Sequence, residues 1–150
     1  MAETLDDLDI RVIRELQVDA RRSYREIGEK LGVAEGTVYN RINKLIRLEV
    51  IKKFIPDIDF SKLGYDLMAV IGLAVDGKYL REVEIKIAGE KNVSAVYDVT
   101  GEYDAIIVGK FRSRGELDRF VKKLLSTPHV KRTYTMLVLN VVKETHGVEI

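Results

Sequence analysis

A chain of 150 residues, 46% hydrophobic and 33% charged, is long enough to bury a core and too apolar to stay disordered. It contains no cysteine, which excludes a disulfide framework, a thiolate metal site and a cysteine nucleophile. The net charge is +1, so any nucleic-acid-binding surface must come from local clustering of cations, not from bulk charge.

The acidic start, MAETLDDLD, has no apolar segment, and the longest apolar run, Leu67 to Val75, is too short to cross a bilayer. A soluble, cytoplasmic protein with no membrane partner is expected. Asp6 and Asp7 are placed to cap a first helix whose apolar stripe is Leu8, Val12, Ile13 and Leu16. The polar break QVDARR leads to Ser23 and Glu26, which have the spacing of a capping box. Behind that cap Ile27 and Leu31 lie four apart, and Gly32 supplies the backbone freedom to leave the helix. The next helix begins near Ala34 or Glu35 and turns Val38, Ile42 and Leu45 inward. Thr37, Asn40, Arg41 and Lys44 fall mainly on the rest of its surface, with the reach to meet base edges or phosphates. A helix, a three-residue turn and a second helix with a polar outer face is the arrangement that enters a DNA major groove. Charge placement agrees. Between Arg21 and Lys53 there are nine Lys or Arg against four Glu, a local excess of five.

Val50 to Asp59, VIKKFIPDID, is rich in strand formers, and Pro56 excludes helix, so an extended segment is expected. The domain boundary is placed here: residues 1–55 form a helix-turn-helix domain, 56–64 a linker and 65–150 a second domain. In that second part Asp66 to Val75 reads as a strand, and Asp76-Gly77 as a turn. Leu80, Val83 and Ile87 mark a helix face. Val93 to Thr100 reads as a strand, Gly101-Glu102 as a turn and Tyr103 to Phe111 as a third strand. Ser113 and Glu116 form another capping box before a helix carrying Leu117, Phe120, Val121 and Leu124. Ser126-Thr127-Pro128 ends it, and a last strand runs from Val130 to about Lys143. The order β-α-β-β-α-β is the ferredoxin-like arrangement, so the fold class is α+β.

These strands are too apolar for a sheet with one wet face. Leu67 to Val75 is apolar on both faces apart from Gly72. In the last strand Leu137, Leu139 and Val141 share one face, while Met136, Val138 and Val142 share the other. No spare element remains to cover the second face. A second copy packed sheet to sheet in a symmetric dimer is therefore expected.

Catalytic chemistry finds no support. His129 and His146 are the only histidines and neither has a ligand spacing; GxSxG, P-loop and GxGxxG motifs are missing. No catalytic residue, metal site or cofactor is assigned. The polar feature of the second half is Val99 to Asp104, VTGEYD. Thr100, Tyr103 and Asp104 offer a hydroxyl, a phenol and a carboxylate beside Gly101. A carboxylate with exposed turn amides can hold the ammonium and carboxylate of a free amino acid; a polar-tipped hairpin is the plain alternative. Thr133-Tyr134-Thr135 adds a second polar group.

Taken together, LDDLDIRVIRELQVDAR, IGEKLGV, TVYNRINKL, VIKKF, KLGYD and TGEYDAIIVG resemble the Lrp/AsnC, or feast/famine, family of bacterial and archaeal regulators over nearly the whole chain. The resemblance implies a winged-type helix-turn-helix domain followed by a ferredoxin-like effector-binding domain. It also implies a homodimer assembling to an octamer, double-stranded DNA as partner and an amino acid as small-molecule effector. The DNA-binding set it suggests is Arg22, Arg25, Glu35, Gly36, Thr37, Tyr39, Asn40, Arg41 and Lys44. The effector set is Thr100, Gly101, Glu102, Tyr103 and Asp104, with Thr133, Tyr134, Thr135 and Met136 from a neighbour. Two positions depart from the family pattern. Ala34 stands where Ser often caps the recognition helix, a loss of about 1 kcal/mol of capping. Glu49 stands where Gly commonly closes that helix, so that either strain is accepted or the helix runs on. The expected function is a sequence-specific DNA-binding transcriptional regulator whose assembly and DNA binding respond to an amino acid. The alternative is a stand-alone amino-acid-binding or protein-interaction module without specific DNA recognition; the basic excess argues against it.

Overall fold

The computed structural model describes residues 4–145 and 147–150; the first three residues of the acidic start, and His146, lie outside the described residues. The chain divides into two compact units. One runs to Asp57 and includes Glu144–Ile150, and the other is Ile58–Lys143. Residues 144–150 thus group with the helical unit, whereas the sequence boundaries had assigned them to the second domain.

The helical unit consists of α1 (Asp7–Val18), α2 (Tyr24–Leu31) and α3 (Glu35–Arg47). The first two starts have a local cause. At α1 the Asp6 carboxylate accepts the Asp9 amide and the Asp9 carboxylate accepts the Asp6 amide, both at 3.0 Å. At α2 the Ser23 amide donates to Glu26 at 2.8 Å, and the Glu26 amide to the Ser23 hydroxyl at 3.2 Å. Gly32 closes α2 in the left-handed conformation. Gly28 is fixed by contact: a Cβ there would stand 2.7 Å from the Val33 carbonyl oxygen, so only glycine lets the turn fold this tightly on α2. Val12, Ile27, Val38, Ile42 and Leu45 form the core, with Leu8, Leu16, Tyr24 and Leu31 around it.

The two family departures have a structural outcome. Ala34 caps α3 without a side-chain hydrogen bond. The helix stops at Arg47, and Glu49 takes φ 56°, so this chain accepts left-handed strain there and the helix does not extend. On α1, Arg14 Nε donates to the Ile150 carbonyl at 2.6 Å, and Gln17 Nε2 to the Val148 carbonyl at 2.8 Å.

Val50–Asp59 is not a strand. The segment runs without sheet pairing, and Phe54, Ile55 and Ile58 are exposed. Strand-forming residues make a strand only when they pair with another edge, and this segment pairs with none. The wing implied by the family pattern is therefore not formed among the described residues.

In the second unit a 3-10 turn over Phe60–Leu63 precedes β1 (Leu67–Val75), α4 (Leu80–Ala88), β2 (Val93–Asp98), β3 (Ala105–Phe111), α5 (Arg114–Leu125) and β4 (Val130–Leu137). The sheet order is β2-β3-β1-β4 with every pairing antiparallel, as the β-α-β-β-α-β reading requires. The last strand is shorter than expected: β4 ends at Leu137, and Leu139 is 93% exposed beyond it. Leu139 therefore belongs to neither sheet face.

Register assigns the faces. Ala69, Ile71, Leu73, Val75, Ala105, Ile107 and Phe111 are buried with Val83 and Ile87 of α4 and Phe120 and Leu124 of α5. The alternate residues, Met68, Val70, Ala74, Ile106 and Val108, are only half-buried on the uncovered face. A row of partners crosses that face: Tyr97 of β2, Ile106 of β3, Gly72 of β1 and Tyr134 of β4.

Candidate nucleic-acid interface and effector hairpin

Helix α3 presents two different polar stripes. Gly36, Tyr39, Asn40, Asn43 and Arg47 recur at three- and four-residue steps and are all exposed. Glu35 is exposed at the helix start, and Tyr39 packs its ring 6.0 Å from that of Tyr24 on α2. Asn43 and Arg47 were absent from the expected set; the 3.6-residue period counted onward from Gly36 and Asn40 reaches both.

Thr37, Arg41 and Lys44 form the second stripe, half-buried. Lys44 Nζ lies 2.6 Å from one oxygen of Asp9 and donates to the Thr4 carbonyl at 2.9 Å. Arg41 lies 3.2 Å from the other Asp9 oxygen and 2.5 Å from Asp6. Asp9 itself is fully buried. Burial pushes its carboxyl upward, but the hydrogen bonds from Lys44, the Asp6 amide and Arg41 prevail and hold it below the usual carboxylate range. The Asp6 carboxyl is also held low, first by the Asp9 amide and then by Arg41. The two cations most central to the recognition helix are thus engaged with α1.

At the entry to α2, Arg22 pairs with Glu15, which also holds Lys30 at 2.8 Å. Arg25 pairs with Glu29 at 2.9 Å, and Arg21 with Asp19 at 3.4 Å, but both arginines are largely exposed. Exposed pairs of this kind are weak, so these cations are readily available to a phosphate.

The hairpin between β2 and β3 is fastened to β1. The Val99 amide donates to the Asp104 carbonyl at 3.1 Å. The Asp104 amide donates to the Leu73 carbonyl at 2.9 Å, and Asp104 Oδ2 accepts the Val75 amide at 2.8 Å. The second Asp104 oxygen has no hydrogen-bond partner among the described residues. Thr100, Gly101 and Glu102 form the exposed tip, with Gly101 at φ 124° and Glu102 Oε1 3.6 Å from Arg132. Tyr103 stacks on Tyr134 at 6.0 Å and 27°. The β4 set is divided by strand alternation: Tyr134 and Met136 pair with Gly72 and Val70 on the open face, while Thr133 and Thr135 pair with Leu73 and Ile71 on the helix side.

No group of three or more metal-ligating side chains occurs among the described residues, and none of their helices is long and apolar enough to cross a membrane.

The comparisons with known proteins agree with both halves of this geometry. Residues 5–46 match the AsnC-type helix-turn-helix domain, and residues 68–148 match the Lrp/AsnC ligand binding domain. An uncharacterized HTH-type transcriptional regulator of Pyrococcus furiosus is 50% identical over 145 residues, covering 97% of this chain and 98% of that protein. HTH-type transcriptional regulator FL11 of Pyrococcus horikoshii is 38% identical, over 97% and 96%. Among solved structures, Escherichia coli AsnC is 25% identical with a TM-score of 0.91, over 99% of this chain and 100% of that one. A Neisseria meningitidis transcriptional regulator in complex with L-Met has the same fold, with a TM-score of 0.90 at 23% identity over 97% and 96%. With both domain models in their order and relatives matched end to end, the chain belongs to the Lrp/AsnC family of transcriptional regulators.

Proposed function

We propose that the protein is a cytoplasmic, sequence-specific regulator, not an enzyme, that docks α3 in the major groove and changes its assembly and DNA affinity when an amino acid binds the β2–β3 hairpin. The observation that carries the DNA half is the exposed stripe Gly36, Tyr39, Asn40, Asn43 and Arg47, flanked by Arg21 and Arg25. Glu35, Tyr39, Asn40 and Asn43 have the reach for base edges, while Gly36 admits close backbone approach. Arg41 and Lys44 hold α3 against α1, with Thr37 beside them; Arg22 does the same for the entry to α2. With Arg21, Arg25 and Arg47 as phosphate contacts in each of two protomers, log K against log salt should slope at about −5. A gel shift or anisotropy titration over a salt series tests this; a slope near zero removes groove docking and leaves an interaction module.

For the effector, Asp104 is held by one oxygen and has the other to meet an ammonium, and the exposed tip amides of Thr100 to Glu102 suit a carboxylate. The L-Met held by the Neisseria meningitidis relative supports an amino acid as ligand. Tyr134 stacks with Tyr103 of the hairpin on the open face, and Met136 lies two residues further along the same face; Thr133 and Thr135 serve it only from a neighbouring chain. That open apolar face supports a homodimer, and assembly toward an octamer is carried over from the family resemblance. Asp104→Asn keeps the acceptor for the Val75 amide and removes the charge. It should abolish the amino-acid response while effector-free DNA binding persists, read by calorimetry and anisotropy side by side.

A further inference from the structure

The effector hairpin owes its position to a residue outside it. A Cβ built on Gly72 would stand 2.7 Å from both Cγ and Cδ1 of Tyr103 and 2.9 Å from its Cε1. The Tyr103 ring therefore lies directly on the β1 backbone, in space that every other residue type would fill. Tyr134, the β4 partner of Gly72, stacks with that ring. The residue after Tyr103 is Asp104, whose amide and carboxylate bind Leu73 and Val75. Three attachments thus fall on three residues of β1 within one four-residue stretch: a ring on Gly72, an amide on Leu73 and a carboxylate on Val75. The tip has no comparable support, because the Glu102–Arg132 pair is exposed and weak.

We infer that Gly72 is a positioning residue for the effector hairpin: by lacking a side chain it seats Tyr103, and through Tyr103 it fixes Asp104 and the tip amides in the geometry that binds an amino acid. This rests on the reading of the hairpin as the effector site. A methyl group at position 72 lifts the ring, and the lift is passed along one peptide bond to the Asp104 carboxylate.

The test uses the full chain with Gly72→Ala, Tyr103→Ala and the double variant. In the wild type the Gly72 α-protons should be shifted upfield by the ring above them, a shift that Tyr103→Ala abolishes. In Gly72→Ala the Val75 and Asp104 amides should lose hydrogen-exchange protection while the α4 and α5 amides keep theirs. The double variant should be no worse than Tyr103→Ala alone, because the clash needs both partners. Each common α-amino acid, L-methionine included, is then titrated singly by calorimetry. The one that binds wild type should bind Gly72→Ala about tenfold or more weakly, a difference of about 1.4 kcal/mol, with effector-free DNA affinity unchanged. Unchanged protection at Val75 and Asp104 overturns the inference, as does a change confined to oligomer size. Lost protection with wild-type amino-acid affinity also overturns it while leaving the effector reading intact. If no amino acid binds wild type, the effector reading fails and the inference falls with it, even where exchange shows the ring seated on Gly72.

Discussion

The helical unit encloses its core, with Val12, Ile27, Val38, Ile42 and Leu45 buried among three helices beside the Asp9 network. The sheet unit covers one face with α4 and α5 and leaves Met68, Val70, Ile106, Val108 and Met136 half-buried or exposed on the other. The single chain therefore encloses the core of the first unit and covers only one sheet face of the second. A helix has one apolar stripe to hide and three helices can hide theirs together, whereas a sheet has two faces and two helices cover only one.

The largest way to break this contrast is a charge on the open face. Val70→Lys places an ammonium among Val108, Met136 and Met68. If a second copy covers that face, burying an unpaired cation there should weaken dimerisation by about a hundredfold or more while the far-ultraviolet spectrum persists. Sedimentation across a concentration series measures it, and an unchanged dimer would place the interface elsewhere.

Next in size is the Asp9 network. Asp9→Ala leaves Lys44 and Arg41 without their shared partner, and removing one member of a buried ion pair typically costs about 3 kcal/mol. Denaturation followed at the helical unit should show this loss while the sheet unit is unaffected. DNA affinity should fall as well, because α3 loses its hold on α1.

The pH response sharpens the comparison. Folding lowers the Asp9 and Asp6 carboxyls, so their stabilisation is present above the ordinary carboxylate range and lost as pH falls through their folded values. Glu84 on α4 behaves oppositely. Burial, and then the charge of Asp98, raise its carboxyl, and its Oε1 is buried without a partner. Its contribution is fully present below its ordinary pKa and is lost as pH rises through the raised value. Asp9→Asn should flatten the acid limb of the stability profile, and Glu84→Gln should raise stability at neutral pH and flatten the opposite limb. A Glu84→Gln protein no more stable than wild type at pH 7 would contradict the burial argument.

The smallest effects lie at the two ends of α3. Ala34→Ser restores an N-cap acceptor, and Glu49→Gly relieves a left-handed residue; each should stabilise by about 1 kcal/mol. Thermal denaturation of the single and double variants checks this, with additivity expected because the ends are far apart.

The sequence by itself determined the caps, the stripes and the order of elements. Ser23 with Glu26, Ser113 with Glu116 and the Val38–Ile42–Leu45 face are set by contacts three or four residues apart, and the helix period makes such contacts certain once the helix forms. The tertiary structure alone decided which polar residues on α3 face outward. Arg41 and Asn40 are neighbours in sequence and equally polar, but only Arg41 meets Asp9, thirty-two positions away. Likewise VTGEYD announces a polar hairpin, but nothing local reveals that Tyr103 needs a glycine at position 72. Periodicity fixes direction around an element's own axis; what lies in that direction depends on which other elements pack there. Val50–Asp59 has the residues of a strand but joins no edge. Strand propensity is a property of the residues, while pairing requires a second edge brought alongside, and the free edges of β2 and β4 do not pair with that segment.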